Sequence, residues 1–189
     1  MAMPVSAEGG YYSYLGNNVK SNQSVNANAG LYVRPYRYDD RELKTGINVG
    51  YMNFDKNLSY YSYGQGGYFS PQNYVSVSFP VEYTQKYDDW DLKLSGAVGY
   101  QSYSQDKSAY FPNNPELQKQ LEDLVAEGYG TEAYYGGKTQ NGIGWNAGVG
   151  GNYHLNKSMQ IGGQVGYDTF GDYNESTAQV YFRYLMGQN

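Results

Sequence analysis

The chain has 189 residues, a formal net charge of -5 and no cysteine, and its 25 tyrosines stand against only 6 phenylalanines. A mean hydropathy of -0.74 is low for a soluble core of this size. The negative charge disfavours nucleic acid, because phosphate binding needs a basic face, and the lack of cysteine excludes a disulfide scaffold or a thiolate metal site. No apolar run approaches the ~20 residues of a membrane-spanning helix, so any spanning must use strands.

Long segments alternate apolar and small polar residues with the period of a β-strand. Over residues 141–155, one face carries apolar residues and glycine from Ile143 to Leu155, whereas the other carries Gly, Asn and His. One apolar face and one polar face are typical of a transmembrane β-barrel strand. In chain order, the pattern predicts a weaker strand near 7–15 and clear strands over 25–36, 43–54, 74–84, 90–103, 141–155, 158–170 and 177–186.

The predicted fold is therefore all-β, an antiparallel transmembrane barrel with about eight strands in this chain. Short connections at 37–41, 85–89 and 156–157 alternate with longer ones at 55–73 and 104–140. Because outer-membrane barrels have short periplasmic turns and long external loops, we expect the bacterial outer membrane, with both chain ends in the periplasm. A soluble β-sandwich with surface tyrosines is the alternative, but it gives no reason for aromatics at both ends of one face. The outward aromatics form two predicted girdles: Tyr83, Trp90, Tyr153 and Tyr184 at the periplasmic end, and Tyr51, Tyr100, Trp145 and Tyr167 at the other.

The inward positions predict the character of the lumen. Near the periplasmic end they carry both signs of charge, which we interpret as a paired ring at the periplasmic mouth: Arg34, Lys44, Glu82, Asp91, Lys93 and Arg183, together with His154. The predicted lining of the lumen is mostly small, polar and uncharged: Asn28, Tyr32, Asn48, Ser76, Ser78, Ser95, Asn146, Gly148, Gln164, Gln179 and Tyr181. An eight-stranded barrel is filled by its own side chains, and small ones would leave a void. We therefore predict that these strands are part of a larger barrel.

The external loop over residues 104–140 is predicted to contain a helix. Asn114 suits the N-cap, Pro115 the first helical position and Gly128 the C-terminal stop. An apolar stripe on this helix is either a lid over the external mouth or a face packed on its own loop. The stripe consists of Leu117, Leu121 and Leu124. Tyrosines that could stack on sugars crowd the same external loops: Tyr60, Tyr61, Tyr63, Tyr68, Tyr129, Tyr134 and Tyr135.

Several segments are similar to a known family. Residues 68–74 read Tyr-Phe-Ser-Pro-Gln-Asn-Tyr, and residues 75–83 continue Val-Ser-Val-Ser-Phe-Pro-Val-Glu-Tyr. With residues 34–38 and 166–187, these segments resemble the carboxy-terminal barrel of the outer-membrane subunit of bacterial cellulose synthase, BcsC. The resemblance implies that residues 1–189 are the carboxy-terminal half of a barrel of about sixteen strands. It also implies export of a β-1,4-glucan, with the polymer, the lipid bilayer and the rest of the cellulose synthase complex as partners.

The beginning of the chain and its few reactive residues add further expectations. Residues 1–6 have no signal features, so we expect a piece of a longer precursor or a form whose export signal has been removed. His154 beside Ser158 is a weak candidate for hydrolysis, because no second element supports it. Aspartate pairs at 39–40 and 88–89 suit turns better than calcium. We predict no catalytic site, metal or cofactor. The alternative function is a small, filled eight-strand barrel with a structural or adhesive role.

Overall fold

The computed structural model describes residues 4–186, which contain ten strands and one helix. In chain order the elements are β1 (Val5–Gly16), β2 (Val19–Arg37), β3 (Arg41–Phe54), β4 (Asn73–Lys86), β5 (Trp90–Gln105), β6 (Ser108–Ala109), α1 (Pro115–Ala126), β7 (Tyr134–Tyr135), β8 (Lys138–Asn156), β9 (Met159–Asp168) and β10 (Glu175–Tyr184).

The eight long strands form one antiparallel sheet in the order β1-β2-β3-β4-β5-β8-β9-β10. Each long strand pairs with the next one along the chain, which is the meander of an up-and-down barrel. The sheet does not close on itself, because β1 and β10 each have one edge without a partner strand within residues 4–186. The prediction of an all-β, antiparallel barrel part with one short helix is confirmed, and the sheet has the form of half a barrel.

Most predicted strands are found within a few residues of their expected bounds, and the differences have local causes. The weak first strand is a full one of 12 residues. β2 begins at Val19 rather than 25, because a two-residue turn at Asn17 and Asn18 brings it directly against β1. Asn18 has a φ of 61°, a left-handed conformation that asparagine tolerates better than most residues. This tight turn lies at the same end as the long loops, which the sequence pattern did not predict.

The two ends of the sheet differ. We call one the turn end, because residues 38–40, 87–89 and 157–158 connect the strands there in short turns. At the other, the loop end, three longer connections occur, and we call them together the loop cap: residues 55–72, 106–137 and 169–174. The small two-stranded sheet of β6 and β7 belongs to the cap. Within residues 4–186 the buried apolar side chains lie in the cap or at the loop end: Phe54, Leu58, Pro71, Tyr103 and Ala133.

Cross-strand pairing separates apolar from polar side chains. One row of paired residues across five strands is Ala29, Val49, Val77, Tyr100 and Ile143. The adjacent row, on the opposite face, is Gly30, Asn48, Ser78, Gly99 and Gly144. On the apolar face Tyr100 is 54% exposed and Ile143 75% exposed, so nothing within residues 4–186 covers this face. A continuous exposed apolar surface marks contact with a membrane or another protein.

The described part of the chain contains no helix long and apolar enough to cross a bilayer.

Candidate functional site

The candidate site is the polar face of the sheet. All eleven residues predicted to line a lumen lie on this face, as the register from β2 to β10 shows. Two grooves run along it. One of about 440 Å³ contains Ser95, Asn146, Gly148 and Gln164, and one of about 280 Å³ contains Tyr32, Asn48 and Ser78. That these residues line a channel stays a prediction.

The middle of the polar face offers mainly uncharged hydrogen-bonding groups, with Glu8 of β1, opposite Asn28, as a charged exception. The Nε2 of Gln164 donates to the Oε1 of Gln179 across 3.1 Å, linking β9 to β10. At Gly148 an added methyl group would lie only 3.0 Å from the hydroxyl of Ser95, so a larger side chain there must project away from the wall. Amides and hydroxyls of this kind exchange hydrogen bonds with a neutral hydroxylated ligand and provide no ionic anchor.

Towards the turn end, the polar face becomes charged and the charges are paired. Lys93 lies 2.7 Å from Glu82, and the Nε of Arg34 lies 2.9 Å from a carboxylate oxygen of Glu42. The Nε2 of His154 lies 3.1 Å from Asp91. Exposed pairs of this type each contribute about 0–1 kcal/mol, so they balance charge at the turn end more than they hold the sheet together.

Two of the charged residues predicted for this end, Lys44 and Arg183, lie against tyrosine side chains and not against carboxylates. The Nζ of Lys44 lies 4.7 Å from the ring centroid of Tyr32, and the guanidinium carbon of Arg183 lies 5.8 Å from that of Tyr181. The sequence-based prediction also omitted Glu42, although it lies two residues before Lys44 and therefore on the same face of β3. Alternation along β3 was the signal that would have identified it.

The loop cap is anchored to the polar face through Asn22 of β2, which is 1% exposed. Its Nδ2 donates to the backbone oxygen of Lys56 at 2.8 Å and to the hydroxyl of Tyr68 at 3.2 Å. Its Oδ1 accepts from the backbone N–H groups of Lys56 and Gln23, each at 3.0 Å. One buried amide therefore joins residues 55–72 to the sheet, in addition to backbone hydrogen bonds such as the one from the N–H of Lys20 to the oxygen of Gly64 at 2.8 Å.

A second anchor joins the connection at 169–174 to β5 and β8. The hydroxyl of Tyr103 donates to Asp172 at 2.8 Å, and Lys138 reaches the same carboxylate at 2.6 Å. The edge of the Phe69 ring packs against Tyr103, with centroids 4.9 Å apart. Phe69 lies in the connection at 55–72, so separate parts of the cap meet over the loop end of the polar face.

The helix of the cap begins and ends where the sequence predicts. The N–H of Leu117 donates to the side-chain oxygen of Asn114 at 3.1 Å, and Gly128 has a φ of 86°. The helix is held mainly by Gln118, which is 8% exposed and bonds the N–H of Phe111 and the oxygen of Ala133. The apolar stripe is not buried against its own loop: Leu121 is half-buried, whereas Leu117 and Leu124 are 41% and 48% exposed.

The docking of α1 should depend on pH at both ends of the accessible range. The hydroxyl of Tyr134 donates to Glu122 at 2.6 Å, which lowers the pKa of Glu122 from 4.5 and raises the pKa of Tyr134 from 10.0. Because the pKa of Glu122 is lowered when α1 docks, ionised Glu122 stabilises the docked helix above pH 4.5. This stabilisation is lost as pH falls through the pKa of the folded state. Because the pKa of Tyr134 is raised when α1 docks, neutral Tyr134 stabilises the docked helix below pH 10.0. This stabilisation is lost as pH rises through the pKa of the folded state.

Hydrogen exchange of the α1 amides across pH checks this prediction, after correction for intrinsic exchange. Protection should be highest on the plateau between the two limbs. The Glu122→Gln variant should lose the acid limb, and Tyr134→Phe should lose the alkaline limb and reduce the acid limb, because Gln118 still donates to Glu122. An unchanged acid limb in Glu122→Gln would assign that limb to another group.

The tyrosines of the cap fall into two groups. Tyr60 and Tyr135 stack on each other with centroids 3.8 Å apart and planes 9° from parallel. Tyr61 and Tyr129 are 90% and 81% exposed and keep their ring faces free. Within residues 4–186 no cluster of three or more His, Cys, Asp or Glu side chains is placed to hold a metal ion.

Comparison with known proteins identifies a family. The family described as cellulose synthase operon protein C C-terminus matches residues 2–187. A relative named cellulose synthase operon protein C from Xanthomonas axonopodis pv. citri is 31% identical over 90% of this chain and 12% of its own length. A relative of the same name from Komagataeibacter xylinus is 32% identical over 94% of this chain and 14% of its own length.

A third relative of that name, from Salmonella typhimurium, is 41% identical over a shorter region, 38% of this chain. The chain thus spans only a small part of the length of the curated relatives it matches. The match nonetheless covers almost every residue of the chain, including the polar face and the cap. The chain belongs to the cellulose synthase operon protein C C-terminus family.

Proposed function

We propose that this chain forms part of an outer-membrane channel through which a β-1,4-glucan leaves the cell during cellulose synthesis. The observation that carries the proposal is the contrast between the two faces of the sheet. The apolar face is exposed over its whole extent, which suits lipid, and the opposite face presents small, uncharged hydrogen-bonding groups. The names of the relatives refer to cellulose synthase operons and support a neutral glucan as the cargo.

The proposed mechanism is passive guidance. Hydroxyls of the polymer exchange hydrogen bonds with amides and serines such as Gln164, Ser78 and Ser95. The same grooves contain Lys93 and Glu82, which are bonded to each other at 2.7 Å. The chain's own residues provide no energy source, so the driving force comes from the rest of the cellulose synthase complex. The charged ring at the turn end forms the periplasmic mouth, where the polymer enters.

The loop cap acts in this proposal as the external gate. Its anchors, Asn22 and Tyr103, belong to strands of the sheet and lie on the polar face. The cap therefore leans over the lumen and not over the lipid side. The exposed leucines of α1, Leu117 and Leu124, are the apolar surface of the lid. Export requires the cap to move aside, because it lies across the exit.

Bulky residues on the polar face should block export without preventing folding. In the assembled barrel, the double variant Gly148→Trp, Ser78→Trp places two indoles in the grooves of 440 and 280 Å³. We expect polymer secretion to fall to background, while the amount of heat-modifiable barrel in the outer membrane stays at the wild-type level. Secretion is measured as cellulose released per cell.

The matched control changes the neighbouring residue on the other face. Val149→Arg puts a charge on the apolar surface, where it should cost roughly 2–4 kcal/mol of membrane stability near the bilayer midplane. This variant should reduce insertion but leave each inserted barrel competent. Normal secretion by a well-inserted tryptophan double variant would refute the proposed path.

A further inference from the structure

Three tyrosine rings of the polar face lie flat on the sheet because each ring lies directly over a glycine. The pairs are Gly10 with Tyr12 in β1, Gly30 with Tyr32 in β2, and Gly162 of β9 with Tyr181 of β10. A methyl group added at Gly30 would lie 2.6 Å from the hydroxyl of Tyr32 and 2.8 Å from its Cζ. One added at Gly162 would lie 2.6 Å from the Cζ of Tyr181. Each ring therefore occupies the space into which a side chain would project if the glycine were replaced by any other residue.

This arrangement decides how the rings face the lumen. A tyrosine on a wall of ordinary residues stands roughly perpendicular to the sheet and presents its edge along the axis. Over a glycine the ring lies along the wall, so one of its two faces covers the backbone and the other faces away from the sheet. Tyr12 is 44% exposed, and Tyr32 and Tyr181 are half-buried, as expected for rings with one covered face.

The surroundings of the rings add hydrogen-bonding groups beside an apolar surface. The hydroxyl of Tyr181 donates to the Oδ1 of Asn152 at 2.5 Å, which fixes the orientation of that ring. The ammonium of Lys44 lies over the ring of Tyr32 and the guanidinium of Arg183 over that of Tyr181, each on a flexible stem that can move aside for a ligand. A ring face uncovered when such a donor moves aside matches a pyranose, which has apolar C–H faces and hydroxyls around its edge, and the displaced donor can bond those hydroxyls.

We propose that Tyr12, Tyr32 and Tyr181 are separate stacking platforms for pyranose rings of the exported polymer, recessed into the wall by their glycines. The inference rests on the proposed channel function and names the contacts that guide the polymer. The recess has two consequences: the rings contact a flat glucan without narrowing the lumen, and the polymer slides because no platform encloses it.

Binding of a soluble oligomer tests the platforms. The full chain, assembled in a planar bilayer together with complementing barrel strands, is titrated with cellohexaose, and the dissociation constant is taken from the block of ionic current. The contribution of one aromatic contact corresponds to about three- to tenfold in affinity. We expect Tyr32→Ala and Tyr181→Ala each to weaken cellohexaose binding by that factor. Tyr32→Phe, which keeps the ring, should bind like the wild type.

Further variants separate stacking from a purely structural role of the rings. Gly30→Ala keeps every tyrosine but lifts the ring of Tyr32 from the wall, so it should alter the dissociation constant while the melting temperature in micelles changes little. Tyr100→Ala, on the opposite, apolar face of the sheet, is the control and should leave binding unchanged. Wild-type affinity in both tyrosine-to-alanine variants would refute the stacking role of these tyrosines but leave the channel proposal in place. A wild-type barrel that cellohexaose never blocks would overturn the channel proposal as well.

Discussion

Expressed alone, the 189-residue chain should fail to enter lipid as a stable monomer. The sheet leaves one edge of β1 and one edge of β10 without partners within residues 4–186. In hydrocarbon, each unpaired backbone N–H or C=O costs several kcal/mol, so an open edge of this length is far outside what the fold can tolerate. The eight strands cannot close on themselves without a void, because Gly148 and Ser78 are too small to fill it.

The measurement is the mass and single-channel conductance of the purified chain in lipid. We expect no inserted species with the mass of one chain, and we expect a conducting pore when the chain is co-expressed with the preceding barrel strands of a full-length relative. Circular dichroism of the same samples should show β-structure only in the inserted fraction. A stable, non-conducting monomer in lipid would contradict the prediction and would favour a small, filled barrel with a structural role.

Replacement of Asn22 by leucine should loosen residues 55–72 of the loop cap, which backbone hydrogen bonds such as that from Lys20 to Gly64 continue to join to the sheet. Leucine has a similar volume but leaves the backbone groups of Lys56 and the hydroxyl of Tyr68 without their partner. Each orphaned polar group costs ~1–3 kcal/mol, and partial access of water to Lys56 reduces the sum, so we expect a loss on the order of 2–4 kcal/mol. The loss should be confined to the docking of residues 55–72.

Two readouts check the release of the cap. Protease cleavage within residues 55–72 should become much faster, while the strands stay protected, and the assembled barrel should conduct more often in its open level. Asn28→Leu is the matched control, because Asn28 lies on the same strand and face, is exposed, and finds no side-chain hydrogen bond within residues 4–186. Equal cleavage rates in the two variants would show that Asn22 does not hold the cap.

The positions of the strands follow from the sequence because alternation is a local property. The non-glycine residues of β8 from Ile143 to Leu155 show by their own polarity which face they occupy, and the helix termini at Asn114 and Gly128 depend on neighbouring residues only. Sorting the inward positions likewise placed the eleven candidate lining residues on one face before any pairing was known.

Tertiary structure decided what holds the cap and how the rings lie. Asn22 bonds Lys56 across 34 residues, and Tyr103 bonds Asp172 across 69 residues, and no periodicity connects such positions. The recess at Gly162 receives a ring from β10, so it exists only because β9 and β10 pair in this register. A buried amide and a flat ring acquire their roles from partners distant in the chain, and those partners meet only when the sheet has formed.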